Sequence, residues 1–269
     1  MKRHSWLLQI TIAVAIVCCV AAHAAPEATK AVTGATVPSA SAPTRMAFSG
    51  EELGVDPGTV ELPCRNFYDY TFNTAPSDWT PRGGLWTTTN RWTCSPQWSW
   101  YGGHNADGVC ALWNKREFAG DLCVETYMGF KMGVGGAQYY RHPHDMCVTI
   151  CADGANMDSG YTFVVGAEGN TETRIMKGAT VLAKTKAPEF LFPVFEDANV
   201  MADLYQFHRR WWGMRIRKQG GHLEFWLDNK LAVQADDPKP LDDGRLAIWT
   251  VRNGLIISRV KVYYEQELL

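Results

Sequence analysis

Apolar and polar residues alternate along several short segments in the C-terminal half of the chain. Between Asp121 and Met132, one parity carries the apolar side chains of Leu122, Val124, Met128, Phe130 and Met132. The other parity is mostly polar and includes Glu125 and Tyr127. The same period of two recurs over residues 146–152, 214–217, 222–228 and 259–264. This period is typical of a β-strand with one buried face, so the sequence predicts five such strands.

Residues that favour turns separate these segments. Leu227-Asp228-Asn229-Lys230 predicts a two-residue hairpin turn, because Asp and Asn tolerate the positive φ angles that such turns require. Only residues 196–207 offer a helical alternative, and the chain keeps one character from Cys64 to its end. We therefore predict one all-β domain, a two-sheet antiparallel jelly-roll sandwich, with a closed barrel as the alternative architecture.

The first 24 residues have the pattern of a signal peptide. Lys2 and Arg3 precede an apolar run from Trp6 to Ala22, and small residues flank the expected cleavage site after Ala24. The run is short for a bilayer span of about 20 residues. We expect export to the periplasm or the cell exterior and no membrane span afterwards. The composition of residues 25–61, rich in Ala, Thr, Pro and Ser, predicts a disordered linker, which leaves residues 62–269 as the folded domain.

Charge and composition exclude several classes of protein. The chain has 26 basic and 28 acidic residues, and loss of Lys2 and Arg3 with the signal peptide changes its net charge from −2 to −4. Such a chain has no excess of positive charge for binding nucleic acid. No glycine-rich phosphate loop or nucleophile elbow is present, so no nucleotide cofactor is expected. The unusual feature is the content of 11 Trp, 10 Tyr and 11 Phe, which points to aromatic surfaces.

Six cysteines remain after removal of the signal peptide, an even number in a compartment where disulfides form. A Cys94–Cys110 disulfide is predicted because it would close a short aromatic loop, although several cysteines remaining as buried thiols is an equal alternative. Cys147 and Cys151 on one strand would be roughly 13 Å apart, too far to bridge. No Cys/His spacing suggests zinc.

The aromatic residues supply most of the candidate ligand-binding positions. Flat rings suit the C–H faces of sugars, while nearby polar groups bind the hydroxyls. The alternative is that these rings close one end of the sandwich. The candidates between the predicted strands and on the polar parity are Trp98, Trp100, Tyr101, Trp113, Tyr127 and Trp226.

A loop with glycines at its start contains a second group of candidates. The segment from Gly133 to Asp145 carries Tyr139, Tyr140, His142 and His144, polar and aromatic groups of the kind found in binding loops. The two histidines are two positions apart, so a metal site would need a third ligand from elsewhere. The ordinary alternative is that both histidines are solvated residues of the loop. His144 is also an acid/base candidate.

Candidate acid/base carboxylates lie on the polar parity of two predicted strands. Glu224 and Asp228 share one side of a strand at about 13 Å, wider than either separation used by glycosidases. Glu125 from another strand is a candidate partner of Glu224. Exposed glutamates on the solvent side are the ordinary alternative.

One turn has the oxygen ligands that calcium prefers. Asp153, Asn156 and Asp158 are closely spaced around Gly154, but the segment lacks the late bidentate glutamate of a calcium loop. Turn formation is the expected role of these residues, and no cofactor is predicted, with calcium as the alternative.

Several motifs resemble the concanavalin A-like lectin/glucanase superfamily, with the laminin-G-like and 3-keto-disaccharide hydrolase-like domains of exported bacterial proteins as the nearest relatives. The similar stretches, spread over residues 64–265, are Phe118–Glu125, Val148–Gly154, Ser159–Tyr161, Trp212–Lys218, Trp226–Asp228, Gly244–Trp249 and Asn253–Gly254. The resemblance implies a jelly roll that often handles carbohydrate. The chain lacks the strand with two glutamates flanking an aspartate that the glycosidase branch carries, and a shared fold does not determine function.

Three functions follow as hypotheses. The leading one is an exported module that binds a glycan through aromatic residues of the concave sheet and its loops. The first alternative is a glycoside hydrolase-type enzyme acting on a sugar or modified disaccharide by carboxylate acid/base catalysis. The second alternative is an adhesion domain without a small ligand.

Overall fold

The structure is a computed structural model that describes residues 44–47, 59–62, 64–72, 76–89, 100–131, 143–194 and 210–268. These residues form almost only strands: β1 Thr44–Ala47, β2 Thr59–Leu62, β3 Asn66–Thr71, β4 Trp79–Arg82, β5 Leu85–Thr89, β6 Trp100–His104, β7 Val109–Phe130, β8 Met146–Ala152, β9 Tyr161–Gly166, β10 Glu172–Lys177, β11 Thr180–Thr185, β12 Trp212–Gln219, β13 His222–Leu227, β14 Lys230–Asp236, β15 Asp243–Val251 and β16 Gly254–Leu268. Single 3-10 turns occupy Met157–Ser159 and Pro188–Phe190, and Ala167–Asn170 is a turn in which Glu168 and Gly169 have left-handed backbone angles.

The long strand β7 belongs to two layers. Its first half, residues 109–119, pairs with β15 and β4, whereas its second half, residues 117–130, pairs with β16 and β12. Gly120 lies at the change of partners with a φ of +81°, which an L side chain rarely adopts. Layer A has the order β11-β10-β9-β8-β15-β7-β4, and layer B has the order β14-β13-β12-β7-β16, with β3 and β6 on the far side of β16.

The inner sides of the two layers form one hydrophobic core. Phe163 of layer A and Phe225 of layer B meet across the sandwich, with ring centroids 5.5 Å apart. Fully buried aliphatic and aromatic residues of this size each contribute about 1.5–3 kcal/mol to folding. Other members of the core are Val124, Met146, Val148, Ile150, Ile175, Ile216, Ile248, Val260 and Val262. All strand pairs in the described part of the chain are antiparallel, which confirms the predicted all-β sandwich.

The five predicted strands are confirmed as β7, β8, β12, β13 and β16. The predicted hairpin turn is also present, since Asp228 and Asn229 adopt φ angles of 47° and 63° between β13 and β14. The predicted strand 222–228 ends one residue later than β13, because Asp228 belongs to the turn. The helical alternative at residues 196–207 lies outside the described residues.

Part of the segment predicted as a disordered linker contains strands. β1 and β2 pair with each other in antiparallel fashion and both lie between residues 40 and 62. The compact unit that contains them runs from Ala40 to Leu269 and so begins before the predicted boundary at residue 62. The predicted signal peptide, residues 1–24, lies outside the described residues. Among the residues that the structure describes, no helix is long and apolar enough to cross a bilayer.

The predicted Cys94–Cys110 disulfide is wrong for this structure. Cys110 is a free and fully buried thiol, whereas Cys94 lies outside the described residues. Burial raises the pKa of the Cys110 thiol to about 12, so it carries no reactive thiolate at neutral pH. Cys147 and Cys151 are also unbridged and share β8, in agreement with the expected separation.

Candidate functional site

The outer side of layer A, which we call the A face, consists of two rows of residues in register. The first row crosses seven strands and contains Lys184, Arg174, Val164, Cys147, Trp249, Ala111 and Arg82. The second row contains Met176, Thr162, Thr149, Ala247, Trp113 and Thr80. These residues alternate along their strands with core residues such as Leu112, Val148 and Ile248, so their side chains point away from the core.

Trp249 is a half-buried ring in the middle of the first row. Its indole Nε1 donates a hydrogen bond to Thr149 Oγ1 at 2.8 Å, and Thr149 shares a hydrogen bond of 2.8 Å with Thr162. Both threonines are buried. The ring packs against one cluster that includes Ala111, Ala247 and the buried Trp113, and against a second that includes Cys147 and Val164. The hydrogen bond fixes the orientation of the indole, and part of the ring remains exposed.

Trp113, a predicted ligand-binding residue, also lies on the A face but is only 3% exposed. The guanidinium of Arg82 lies over its ring, 5.9 Å from the centroid, within the range of a cation–π contact. Trp113 therefore supports the face from below and does not present an open ring, which corrects the prediction for this residue.

A polar pocket of about 360 Å³ lies at one end of the A face. Val251 lines this pocket and is two positions beyond Trp249 on β15, so both side chains lie on the same side of the strand. The pocket thus continues the A face beyond the aromatic ring. Its lining residues are His144, Asp145, Glu168, Gly169, Arg174, Val251 and Arg252.

The backbone around this pocket is unusual. Asp145, Glu168 and Arg252 adopt φ angles of 50°, 53° and 50°, a left-handed conformation uncommon for residues other than glycine. Each belongs to a different connection, before β8, after β9 and between β15 and β16. Backbone strain of this kind is concentrated at functional sites, where the surrounding structure maintains it.

The charged side chains of the pocket form a connected network. Arg174 Nη1 binds Glu168 Oε1 at 2.8 Å and Glu172 Oε1 at 3.2 Å, and Lys184 Nζ binds the other oxygen of Glu172 at 2.8 Å. These hydrogen bonds, led by that from Lys184, lower the pKa of Glu172. His144, the predicted acid/base candidate, lies here with its Nδ1 3.2 Å from Asp145.

The outer side of layer B, which we call the B face, has a different chemistry. One row in register crosses five strands and contains Trp226, Arg215, Glu125, Lys261 and Asp69. Arg215 and Lys261 are only 4% and 5% exposed, and Glu125 is fully buried. The B face is therefore a set of opposite charges removed from solvent, which is costly unless the charges compensate one another.

Trp226 lies on the B face as the sequence predicts, but its ring is engaged by charged neighbours. Arg215 lies over the ring at 4.9 Å, and the indole Nε1 donates to Glu224 Oε2 at 3.0 Å. Glu224 also approaches Arg217 at 3.5 Å and His222 at 3.4 Å. One face of the Trp226 ring and its N–H are thus occupied.

Glu125 is the most perturbed carboxyl on the B face. Within the described part of the chain, neither of its oxygens has a hydrogen-bond partner, and the nearest ion pair, to Lys261 Nζ, spans 4.0 Å. Burial raises its pKa to about 7, against the opposing effect of Lys261 and Arg215. Glu125 and Glu224 are separated by the intervening strand β12, so their backbones lie about 10 Å apart or more. Glycosidase pairs have their carboxyl groups about 5–9.5 Å apart, and the Glu224 carboxylate is engaged by Trp226 on its own strand.

Three other predicted positions have structural roles in the described part of the chain. Tyr101 is a core residue, with its ring 5.9 Å from that of Phe72, which corrects its assignment as a ligand-binding residue. Tyr127 is fully buried, which corrects the same assignment. Asp228 forms an ion pair with Arg210 and accepts a hydrogen bond from the Gly213 N–H at 2.9 Å. Asp228 thereby lines a second cavity, of about 490 Å³, away from the A face.

The predicted calcium candidates form a turn. The Asp153 carboxylate accepts hydrogen bonds from the backbone N–H groups of Ala155 and Asn156, both at 2.7 Å, and from the Asn156 side chain. These bonds lower the pKa of Asp153 to about 2. Asp158 has no part in this hydrogen-bond set. Among the described residues, no group of three or more His, Cys, Asp or Glu side chains is placed to hold a metal ion.

The remaining predicted ligand-binding residues cannot be placed on either face. Trp98, Tyr139, Tyr140 and His142 lie outside the described residues, and only the backbone of Trp100 is described, as the first residue of β6.

Sequence reasoning missed Trp249, Arg174 and Arg252. Leu246 and Ile248 alternate with Ala247 and Trp249, which is the same signal that placed Trp226 on an outer face. Only the turn geometry of the structure identifies Arg252.

Several solved structures are similar to this chain. A Bacillus subtilis protein of unknown function with a galectin-like fold matches with a TM-score of 0.52 at 11% identity, over 74% of this chain and 96% of that one. The carbohydrate-binding module CBM66 from Bacillus subtilis matches with a TM-score of 0.48 at 17% identity, over 68% and 94%. The exoplasmic/lumenal domain of VIP36 in its Ca²⁺/Man-bound form matches with a TM-score of 0.46 at 12% identity, over 70% and 83%.

The fold of this chain is thus a galectin-like antiparallel β-sandwich, in agreement with the jelly roll that the resemblance implied. No family model matches the sequence. No curated protein matches it either.

Proposed function

We propose that this chain is an exported module that binds a glycan on the A face. The observation that carries the proposal is the half-buried Trp249 ring, held by Thr149 and packed on uncharged residues, on the same side of β15 as a polar pocket. Aromatic surfaces pack against the apolar C–H patches of sugar rings, and a few convergent polar groups bind the hydroxyls. The lectin-type fold and the signal-like N terminus agree with this function, although neither establishes it.

The pocket has both kinds of hydrogen-bonding group that hydroxyls require. Arg174 and Arg252 are donors, and the carboxylates of Asp145 and Glu168 are acceptors. A hydroxyl both donates and accepts, so a mixed set of this kind suits a sugar better than a set of one type. The proposed arrangement has a sugar ring on Trp249 and polar contacts at the pocket end, without a metal or other cofactor.

Glycan-array screening of the purified chain, followed by calorimetry, tests the proposal. We expect a hit whose affinity falls at least about tenfold in Trp249→Ala, because the stacking surface is lost. Trp226→Ala is the matched control, since it removes the same side chain from the other face, and it should bind as the wild type does. Absence of any glycan ligand, or wild-type affinity in Trp249→Ala, would contradict the proposal. That result would favour an adhesion domain without a small ligand.

A second candidate function is cleavage of a glycoside, and the carboxyl of Glu125 is the observation in its favour. A group with a pKa of about 7 suits general acid/base catalysis near neutral pH. Its complete burial and its distance from Glu224 count against this function. The test is turnover of the glycan hit: loss of turnover with retained binding in Glu125→Gln supports an enzyme, whereas no turnover by the wild type rejects it.

A further inference from the structure

We propose that Arg252 makes the pocket selective for acidic glycans, through an oxyanion that is either a sugar carboxylate or a sulfate ester. The inference rests on the proposed function, because it concerns the same A face. It adds a ligand class and a residue that determines it.

Arg252 occupies a position where glycine would be favoured. It follows Val251 in the tight connection from β15 to β16, with a φ of 50°. In short turns that require a positive φ, Gly, Asn and Asp dominate because they tolerate this conformation. An arginine at this position costs backbone strain, and such strain is typical of residues whose side chains have a function.

The turn that carries Arg252 is fixed on two sides. The Arg252 N–H donates to Gly108 O at 2.8 Å, and Asn253 O accepts from the Asn105 N–H at 3.0 Å. The Asn253 side chain donates to His144 O at 2.8 Å, on the opposite wall of the turn. The guanidinium of Arg252 therefore extends from a rigid base, although the side chain itself is exposed.

The pairing of charges in the pocket singles out Arg252. Arg174 is engaged by Glu168 and Glu172, and His144 lies against Asp145. Among the described residues, the Arg252 side chain makes no ion pair or hydrogen bond, yet it lines the pocket. An unengaged guanidinium beside satisfied charges is complementary to an incoming oxyanion, which it binds in bidentate geometry.

Matched pairs of oligosaccharides test the inference by calorimetry. One pair is an oligomer of hexuronic acid and its methyl ester, and the other is an O-sulfated oligosaccharide and its desulfated parent. We expect the wild type to prefer at least one charged member by about tenfold or more. Comparison of the two pairs distinguishes carboxylate from sulfate.

Arg252→Gly should abolish that preference, with Arg252→Lys intermediate because a lysine cannot form the bidentate contact. The glycine variant should unfold at an unchanged or higher temperature, because glycine accepts the positive φ. A loss of binding therefore cannot be attributed to misfolding. Arg65→Ala, which removes an exposed positive charge beside β3 of layer B, is the control for net charge and should keep the preference.

The outcomes separate this inference from the proposed function. Equal binding of charged and neutral members by the wild type, or a preference that survives Arg252→Gly, overturns the role of Arg252 and leaves glycan binding intact. Binding of acidic glycans that is lost in Arg252→Gly but unaffected by Trp249→Ala supports the oxyanion site and rejects the A face as a stacking surface. No binding of any member rejects both.

Discussion

The A face and the B face each present a tryptophan from the outward parity of a strand, but the two rings have different surroundings. Trp249 donates its indole N–H to a neutral threonine and packs on uncharged residues such as Ala111, Ala247 and Val164. Trp226 donates to a glutamate and lies under the guanidinium of Arg215. The alternation along each strand places both rings outside the core. The residues beside a ring on the neighbouring strands then determine whether that ring is open to a ligand. The proposal that the A face binds the ligand rests on this difference, while the B face holds an internal charge network.

The two faces also differ in where their charges lie. On the A face, the charged network is at the pocket end, with Glu172 satisfied by Lys184 and Arg174. On the B face, Glu125 is central, and neither of its oxygens forms a hydrogen bond with any residue that the structure describes. A buried carboxyl in that condition favours its neutral form, which makes the stability of the B face dependent on pH.

The largest expected effect is that of Glu125→Gln on stability. Between the usual carboxyl pKa of 4.5 and the raised value of about 7, the folded protein holds a proton at Glu125 that the unfolded chain has released. Wild-type stability therefore falls as pH rises through this window, and glutamine has no such dependence. The variant should be more stable than the wild type by up to about 3 kcal/mol at pH 8.

Urea unfolding at pH 4.5 and pH 8 measures this effect. At the lower pH the two proteins should be nearly equal, because Glu125 is protonated in the folded state and about half protonated in the unfolded state, which changes the free energy of unfolding by only about 0.4 kcal/mol. A Glu224→Gln variant is the control on the same face, since Glu224 is paired with Arg217 and Trp226 and should lose stability rather than gain it. A Glu125→Gln variant that is less stable at pH 8 would contradict the account of the B face.

A smaller effect is expected for Thr149→Val on the A face. The substitution preserves shape but removes the acceptor of the Trp249 N–H, which should cost about 1–2 kcal/mol of stability. Hydrogen exchange of the Trp249 indole N–H, followed by NMR, should be slow in the wild type and faster in the variant. Thr149→Ser retains the hydroxyl and should preserve the slow exchange. Equal exchange rates in all three proteins would show that Thr149 does not hold the ring.

The smallest effect is expected at the turn formed by Asp153, outside both faces. Asp153→Ala removes the acceptor of two backbone N–H groups and should lower the thermal midpoint slightly. Because the carboxylate is used within the turn, neither a chelator nor added calcium should change the midpoint of the wild type. A calcium-dependent rise in the midpoint that is lost in Asp153→Ala would instead establish a metal site.

Local pattern predicted much of the fold, because period-two alternation and turn chemistry act over a few residues. β8 was predicted to its end residues, and the positive φ angles of Asp228 and Asn229 followed from their side chains. The pairing of Glu125 with Arg215 and Lys261 depends on the register of three strands far apart in the chain. No local pattern contains that information.

The candidate site was predicted less completely for the same reason. Trp226 was placed outward correctly, but the cover that Arg215 provides was not foreseen. The sequence favours Tyr101 and Tyr127 as ligand-binding residues, but both are buried, because burial depends on packing partners distant in sequence. Arg252 has no sequence signal of its own, since its role follows from a backbone angle and from the pocket that the turn completes.

The central claim is that a glycan binds over Trp249 and not over Trp226. The most direct measurement is a titration of the ¹⁵N-labelled wild type with the glycan found by array screening, with the indole resonances assigned from Trp249→Phe and Trp226→Phe. The account predicts that the Trp249 indole signal shifts with the same affinity that calorimetry gives, while the Trp226 signal stays in place. A shift of Trp226 without a shift of Trp249 would contradict it.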